Sequence, residues 1–134
     1  MTDEYQITFD GGSLGNPGKG YGSYRIEVAG RPRPVVRLDY SANGEIVTNN
    51  QAEYRTLIAA LEEIRNEVNG AADKTPLRVI GDSKLVLEQV AGRWKVKHPD
   101  LRPLHATATE LIRSFGEVAL EWRGRNWAVS VLGH

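Results

Sequence analysis

Cysteine is absent from the sequence, which excludes disulfide bonds and metal sites built on thiolates. An excess of charge of either sign is also missing, because 17 basic side chains balance 17 acidic ones. A chain of zero net charge lacks a sequence-wide basic surface for polyanions, so any contact with nucleic acid must be local. No apolar run approaches the length of a membrane span, and the amino end does not resemble a signal peptide. We therefore expect a cytoplasmic protein that does not engage a membrane.

The length of 134 residues suits one domain, which would bury roughly two thirds of the surface that its unfolded chain exposes. We expect a single domain over residues 1–134, since the sequence contains neither a linker nor an internal repeat. Nothing in the pattern indicates an obligate protein partner, so we also expect a monomer.

Hydrophobic periodicity predicts three strands followed by alternating helices and strands. The stretches YQITF, YGSYRIEV and PVVRLDY alternate as strands do, and from Asn50 to Asn69 the period becomes that of a helix. The later segments predict a strand (PLRVIGD), two helices (SKLVLEQVAG and PDLRPLHATATELIRSFG), a strand (EVALEW) and a short helix (NWAVSVLG). This order predicts a layered α/β or α+β domain with a mixed sheet.

Three acidic residues stand where apolar or turn residues would be ordinary. Asp10 ends the first predicted strand, although an Asp-Gly pair is also a favoured hairpin turn. Glu53 lies four residues before Leu57, on the helical stripe that faces the core, although a glutamate in a first turn also suits the helix dipole. Asp82 ends the strand PLRVIGD, where it could equally be a helix N-cap.

Considered together, these acids predict a metal site. If the first and fourth strands are parallel neighbours, Asp10 and Asp82 emerge side by side and Glu53 arrives from the helix. Three converging carboxylates repel one another unless a cation lies among them, and oxygen ligands without cysteine suit Mg²⁺ or Mn²⁺. Two such ions about 4 Å apart are what phosphodiester cleavage uses.

Two polar segments predict contacts with a sugar-phosphate chain. The glycines of GGSLGNPG, beginning with Gly11, allow close approach of backbone, and the missing Gly-Lys-Ser/Thr pattern disfavours nucleotide triphosphate hydrolysis. Amide and hydroxyl groups of TNNQAE could bind sugar hydroxyls or base edges; they come from Thr48, Asn49, Asn50 and Gln51. The alternative is helix capping, which we expect to account for one of the four.

Three blocks of the sequence resemble ribonuclease H of type 1: FDGGSLGNPGKGYGSY, TNNQAEYRTLIAALE and GDSKLVLEQVAGRWKVKHPDLRPL. The resemblance covers about residues 5–123, with the blocks in the expected order. It implies a five-stranded mixed sheet flanked by helices, with strands 1–3 antiparallel and strands 1, 4 and 5 parallel. It also implies two Mg²⁺ ions, with Mn²⁺ as a possible substitute, and hydrolysis of the RNA strand of an RNA–DNA hybrid to 3′-hydroxyl and 5′-phosphate ends.

The resemblance also implies roles for individual residues. Asp10, Glu53 and Asp82 would be metal ligands. The asparagines would read 2′-hydroxyls, Thr48 would help to hold a DNA phosphate, and the segment after the second helix would contribute modest contacts. The implied nucleic-acid contacts are Gly11, Asn16, Thr48, Asn49, Asn50, Ser83, Trp94 and Lys97, with Lys95 as a further candidate.

The carboxyl end departs from this family's pattern. The family closes with a fourth aspartate on a final helix, whereas no acidic side chain follows Glu121 here, and the aspartate position falls on Ser130 or Leu132. His134 offers an imidazole and, if the natural chain ends there, an α-carboxylate, so we expect it to serve as the fourth catalytic group; the alternative is a frayed terminus. We expect the short helix NWAVSVLG to return His134 to the metal site, through burial of Trp127, Val129, Val131 and Leu132.

Three functions follow from the sequence. The first is a metal-dependent hydrolase of RNA–DNA hybrids. The second is a weakly active or inactive hybrid-binding module that kept the fold and lost the fourth acidic group. The third is a nuclease of the same fold acting on another substrate, such as a DNA junction, which the 2′-hydroxyl readers of TNNQAE argue against.

Overall fold

The computed structural model of the chain describes residues 3–133. Within them the chain forms six strands and four α-helices: β1 (Tyr5–Leu14), β2 (Lys19–Val28), β3 (Arg31–Pro32), β4 (Val36–Asp39), α1 (Asn49–Val68), β5 (Leu77–Gly81), α2 (Lys84–Val90), α3 (Arg102–Arg113), β6 (Val118–Trp122) and α4 (Arg125–Leu132). Short 3₁₀ turns, Ala72–Lys74 and Pro99–Leu101, precede β5 and α3.

The strands form one mixed sheet in the order β3-β2-β1-β5-β6, with β4 also paired to β2. Strands β1 and β2 are antiparallel, whereas β1, β5 and β6 run parallel to one another. This confirms the predicted mixed sheet. The third predicted strand, PVVRLDY, is shorter than expected, because pairing with β2 covers only Val36–Asp39 and a separate piece, Arg31–Pro32. Pro34 lies between the two pieces and has no N–H to donate to the ladder.

Strand β1 was expected to end at Asp10, but it continues to Leu14. Its parallel pairing with β5 ends at Phe9, but its antiparallel pairing with β2 continues to Leu14. Asp10 therefore pairs with Ser23 inside the ladder, and the alternative of an Asp-Gly hairpin turn is wrong. The glycines that suggested a turn lie partly within the strand.

Helix α1 carries the main apolar face of the protein. Leu57, Leu61 and Ile64 are fully buried in one cluster with Ile7 and Phe9 of β1. Each such side chain contributes about 1.5 to 3 kcal/mol through removal of its apolar surface from water. The predicted stripe is thus confirmed, and it fixes the first turn of α1 over the sheet.

Helix α4 packs on β1 and β2 and is buried through Ala128 and Leu132, which lie outside the main apolar cluster. The short helix is confirmed, but of its expected buried face only Leu132 is fully buried, because Val129 is 41% exposed and Trp127 and Val131 are only partly buried. A single helix on a sheet buries one i, i+4 row, which here is the alanine and leucine row.

No helix within residues 3–133 has the length and hydrophobicity needed to cross a membrane. The cytoplasmic location, the monomeric state and the single domain over residues 1–134 stay predictions.

Candidate active site

Three carboxylates meet at one edge of the sheet. Asp10, Glu53 and Asp82 each offer an oxygen atom, and these atoms lie within 4.8 Å of one another. Phe9 pairs with Gly81 at the end of the parallel ladder, so Asp10 and Asp82 are the next residues of two neighbouring strands. The expected convergence is therefore confirmed, and it follows from strand register.

Gly11 allows Glu53 to reach the two aspartates. A Cβ atom at position 11 would lie 2.7 Å from the carbonyl carbon of Ala52 and 2.9 Å from the backbone nitrogen of Glu53. No other residue fits there without moving α1, so the first turn of the helix packs directly on β1. The backbone of Gly11 also lowers the pKa of Glu53, against the larger effects that raise it. The glycine explains the close approach, and its contact with nucleic acid stays a prediction.

Ser83, rather than Asp82, caps helix α2. The Ser83 Oγ accepts from the Val86 N–H at 3.3 Å, so the alternative in which Asp82 is the N-cap is wrong. The Asp82 carboxylate is thereby available to the acidic cluster. The cap also gives Ser83 a local role beside its predicted contact with nucleic acid.

Burial and mutual repulsion oppose full ionisation of the cluster. Desolvation first, and then the charge of Asp10, raise the pKa of Glu53 well above its ordinary value. The same two causes raise the pKa of Asp82 to about 6, although the Arg125 guanidinium partly offsets them. A cation among the carboxylates would favour their charged forms.

The cluster fits a hard divalent cation. Glu53 is 7% exposed, and its Oε2 atom is buried without a hydrogen-bond partner among residues 3–133. An unpaired buried carboxylate oxygen is costly, and metal coordination is one way to satisfy it. Carboxylate oxygens as the donor set suit Mg²⁺ or Mn²⁺ rather than a thiophilic metal.

Arg125 approaches the cluster and was not anticipated from the sequence. Its Nη1 atom lies 3.8 Å from Asp10 Oδ2 and 3.7 Å from Asp82 Oδ2, while the side chain is 63% exposed. Arg125 is the first residue of α4, which begins shortly after β6, the parallel neighbour of β5. The order of these elements was the only signal that could have indicated its position.

The expected fourth acidic position does not contribute to the cluster. Ser130 is exposed and its hydroxyl donates to the Trp127 carbonyl at 2.8 Å, while Leu132 is fully buried. The acidic cluster at this edge therefore contains three carboxylates within residues 3–133.

His134 lies outside the described residues, so its catalytic role stays a prediction. Helix α4 begins at the cluster, but its carboxyl end contacts Arg37 of β4, whereas we expected this end to return to the cluster. The carbonyl of Leu132 accepts from Arg37 Nη2 at 2.8 Å. Arg37 pairs with Ser23 and Ser23 pairs with Asp10, so this helix end contacts a side chain from β4, which is separated from β1 by β2.

Comparisons with known proteins agree with this architecture. A family model described as reverse transcriptase-like matches residues 36–131. The bifunctional protein Rv2228c of Mycobacterium tuberculosis is 44% identical over 123 residues, which cover 90% of this chain and 32% of that protein. The solved ribonuclease H domain of that protein, studied as a fusion with maltose-binding protein, is 36% identical with a TM-score of 0.80, covering 94% of this chain and 91% of that one. The chain belongs to the ribonuclease H type 1 family.

A further solved member of the ribonuclease H family was crystallised with an RNA/DNA hybrid. LC11-RNase H1 is 26% identical with a TM-score of 0.81, and the match covers 95% of this chain and 90% of that one. The present chain spans about a third of the length of the M. tuberculosis relative.

Several residues expected to bind nucleic acid in this ribonuclease H family chain also hold α1 in place. Thr48 and Gln51 form a capping box, with the Gln51 N–H donating to Thr48 Oγ1 at 3.1 Å and the Thr48 N–H to Gln51 Oε1 at 2.8 Å. Asn49 Oδ1 accepts from the Ser13 N–H at 2.7 Å, and Asn16 Oδ1 accepts from the Asn49 N–H at 3.0 Å. Capping and loop anchoring thus involve more of these residues than the single one expected.

A basic groove adjoins the acidic cleft. The cleft has a volume of about 310 Å³ and contains the three carboxylates, while the groove has a volume of about 640 Å³. Asn50 lines both. The groove is also lined by the side chains of Asn16, Thr48, Gln89, Arg93, Trp94, Lys95, Lys97 and His98. The structure therefore brings most of the predicted nucleic-acid residues to one surface, whereas Gly11, Asn49 and Ser83 line the cleft.

A buried polar network holds the loop that forms the groove. Gln89 is 4% exposed; its Oε1 accepts from the Tyr54 hydroxyl at 2.7 Å and its Nε2 donates to the Lys95 carbonyl at 3.2 Å. The Gln89 carbonyl lies 3.0 Å from His105 Nε2. Buried amides need such partners, so the network fixes the loop backbone. The network could not be predicted from the sequence, because its partners come from three different helices.

Proposed function

We propose that the chain is a metal-dependent endonuclease that hydrolyses the RNA strand of RNA–DNA hybrids. The observation that carries the proposal is the buried cluster of Asp10, Glu53 and Asp82, with an unpartnered Glu53 oxygen, beside a groove that is lined by basic and aromatic side chains. Membership of the ribonuclease H family, and the hybrid in the crystal of LC11-RNase H1, support this substrate.

Asp10, Glu53 and Asp82 would hold two Mg²⁺ ions, for which Mn²⁺ could substitute. When bound, such ions activate the attacking water and stabilise the leaving oxygen of a phosphodiester, leaving a 3′-hydroxyl and a 5′-phosphate. Among the three side chains, Asp10 is central, since its charge raises the pKa of both Glu53 and Asp82.

The protein supplies rigid placement of these carboxylates. Asp10 is held in the ladder between β1 and β2, Asp82 directly follows β5, and Glu53 is pressed against β1 by the close contact at Gly11. Carboxylates fixed by strands and a packed helix need little reorganisation during the reaction. Burial of Asp10 and Glu53 also excludes water and strengthens electrostatic interactions at the site.

The basic groove would hold the hybrid next to the cleft. Trp94 is 45% exposed and offers a face for stacking on a sugar or base, while Lys95 and Lys97 can neutralise phosphates. Asn50 lines both the groove and the cleft, where its amide can bind a 2′-hydroxyl near the scissile bond. The remaining proposed contacts are Gly11, Asn16, Thr48, Asn49 and Ser83.

A second candidate function is hybrid binding with little or no cleavage. It is favoured by one observation, namely that Ser130 and Leu132, at the expected position of the fourth acid, do not line the cleft. His134 is the remaining candidate for the missing group. Deletion of Gly133 and His134 would reduce cleavage at least about a hundredfold if His134 acts in catalysis. Unchanged cleavage by this deletion variant would mean that three carboxylates suffice.

Cleavage of end-labelled substrates by the purified chain distinguishes the candidates. The substrates are an RNA–DNA hybrid, double-stranded RNA and double-stranded DNA of one sequence, each with Mg²⁺, with Mn²⁺ or with a chelator. The proposal predicts metal-dependent cleavage of RNA in the hybrid alone. Tight binding of the hybrid without cleavage under either metal would favour the binding module, and equal cleavage of double-stranded DNA would contradict the proposed substrate.

A further inference from the structure

Arg125 lies against one side of the acidic cluster. Its guanidinium is within 4 Å of the Asp10 and Asp82 carboxylates, at 3.8 and 3.7 Å, and no ion pair joins it to Glu53 in the part of the chain that the structure describes. The unpartnered oxygen of the cluster, Glu53 Oε2, is therefore on the carboxylate that the arginine does not neutralise. Asp10 and Asp82 thus face a positive charge from Arg125, and Glu53 does not.

The position of Arg125 in its own helix is unfavourable for a cation. It is the first residue of α4, after the N-cap Gly124, and the first turn contains no acidic residue. The positive end of the helix dipole disfavours a guanidinium there. The two aspartates supply the compensating negative charge, so the orientation of Arg125 towards the cleft has an electrostatic cause. Its 63% exposure leaves room for the side chain to move into solvent.

We propose that Arg125 is a built-in counter-ion of Asp10 and Asp82 that competes with a divalent cation for these carboxylates. This inference rests on the proposed metal site. A metal ion bound through both aspartates would neutralise the same charges as the guanidinium and would repel it. Binding on the Glu53 side of the cluster would be affected less. Arg125 therefore makes the metal positions unequal and lowers the affinity of the one that uses Asp82.

The test is Mn²⁺ binding to the full chain without nucleic acid, measured by calorimetry and by the electron paramagnetic resonance of free Mn²⁺. Arg125→Gln should bind its weaker Mn²⁺ about fivefold more tightly at low ionic strength, and the gain should shrink at high salt. Arg125→Lys, which keeps the charge, should stay near the wild type. Arg113→Gln is the matched control, because it removes the same charge from an exposed position on α3.

Metal-free thermal stability gives a second readout. Removal of the counter-ion should lower the melting temperature of Arg125→Gln below that of Arg113→Gln in the presence of chelator, because Asp10 and Asp82 lose their neutralising partner.

Two results would overturn the inference. One is an unchanged or weaker Mn²⁺ affinity in Arg125→Gln. The other is a loss of hybrid affinity at unchanged Mn²⁺ affinity, which would make Arg125 a phosphate ligand instead. Asp10→Asn separates this failure from that of the proposed function. If Asp10→Asn binds Mn²⁺ as the wild type does, the metal site itself is wrong; if it loses binding while Arg125→Gln is unchanged, only the counter-ion role is wrong.

Discussion

The acidic cleft and the basic groove are neighbours that are built in different ways. The carboxylates of the cleft come from a strand ladder, from the residue after a strand and from the first turn of a helix. Two of them, Asp10 and Glu53, are buried. The groove is formed largely by the segment between α2 and α3, and it exposes Trp94 and Lys97. Chemistry needs fixed atoms, whereas binding of a long polymer can use mobile cations and an aromatic face.

Helix α1 joins the two surfaces. Glu53 enters the cleft, while the next residue, Tyr54, donates to Gln89 in the network that holds the groove. A displacement of α1 would therefore disturb both cleavage and binding. Substitutions that keep α1 in place should affect one surface and spare the other.

The largest effect is expected in the cleft. Glu53→Gln should reduce cleavage at least about a hundredfold, because a neutral amide is a poor ligand for a divalent cation. Hybrid affinity should stay within about twofold, since the groove is untouched. The metal-free melting temperature should rise, because a buried carboxylate crowded by Asp10 is removed.

Glu62→Gln is the control for Glu53→Gln, since Glu62 is an exposed residue of the same helix. Cleavage rates, hybrid binding and thermal denaturation of the two variants should be measured together. If Glu53→Gln retains a tenth of the wild-type rate, Glu53 does not bind the catalytic metal.

A smaller effect is expected in the groove. Trp94→Ala should weaken hybrid binding about tenfold, since stacking contributes about 1 to 3 kcal/mol per base. The cleavage rate at saturating hybrid should change little. Trp94→Phe, which keeps an aromatic face, should recover most of the affinity. Fluorescence anisotropy with a labelled hybrid would measure these affinities. Equal affinities for Trp94→Ala and the wild type would show that the hybrid does not stack on Trp94 in the groove.

Asn50 lies where the two surfaces meet, so its substitution should affect specificity. Asn50→Ala should weaken binding of the hybrid by about threefold to tenfold, which is one lost hydrogen bond. Binding of double-stranded DNA should change less, because it has no 2′-hydroxyl. A parallel loss of affinity for both duplexes would show that Asn50 contacts only the shared backbone.

The smallest effect concerns the pH dependence of stability without metal. The folded pKa of Asp82 is raised to about 6, so the folded state holds this proton more tightly than the unfolded state. The resulting stabilisation is fully present below the ordinary carboxyl pKa, about 4, and is lost as the pH rises through about 6. Asp82→Asn should make the decline shallower, and the part that remains comes from Glu53, whose pKa is also raised. The melting temperatures of the wild type and Asp82→Asn should be measured between pH 4 and 7 in the presence of chelator. The same pH dependence in both proteins would contradict the raised pKa of Asp82.

Much of the cleft could be predicted from the sequence. Asp10 and Asp82 come directly after the buried parallel pairing of β1 with β5, and Glu53 lies on the helical stripe, so strand order and helical period were sufficient to bring them together. The extent of β1 could not be predicted in the same way. Its glycines are typical of turns, and only the pairing with β2 shows that they continue the strand.

Contacts between polar groups that are distant in the chain could not be predicted from the sequence. Arg125 reaches the cleft because α4 begins beside it, and Gln89 joins Tyr54 to Lys95 because three segments pack together. Such partners depend on tertiary positions that no local period encodes. The face of α4 that packs on the sheet could not be predicted for the same reason. Its buried side chains are Ala128 and Leu132 rather than the two valines.

The most direct test of the central claim is a paired measurement on Asp10→Asn, in which single-turnover cleavage and binding of one RNA–DNA hybrid are compared with the wild type under Mg²⁺ and Mn²⁺. The account predicts at least about a hundredfold loss of cleavage with hybrid affinity within about threefold of the wild type, because the cleft performs the chemistry and the groove holds the substrate. Cleavage by Asp10→Asn at a tenth of the wild-type rate or more, with binding intact, would contradict it.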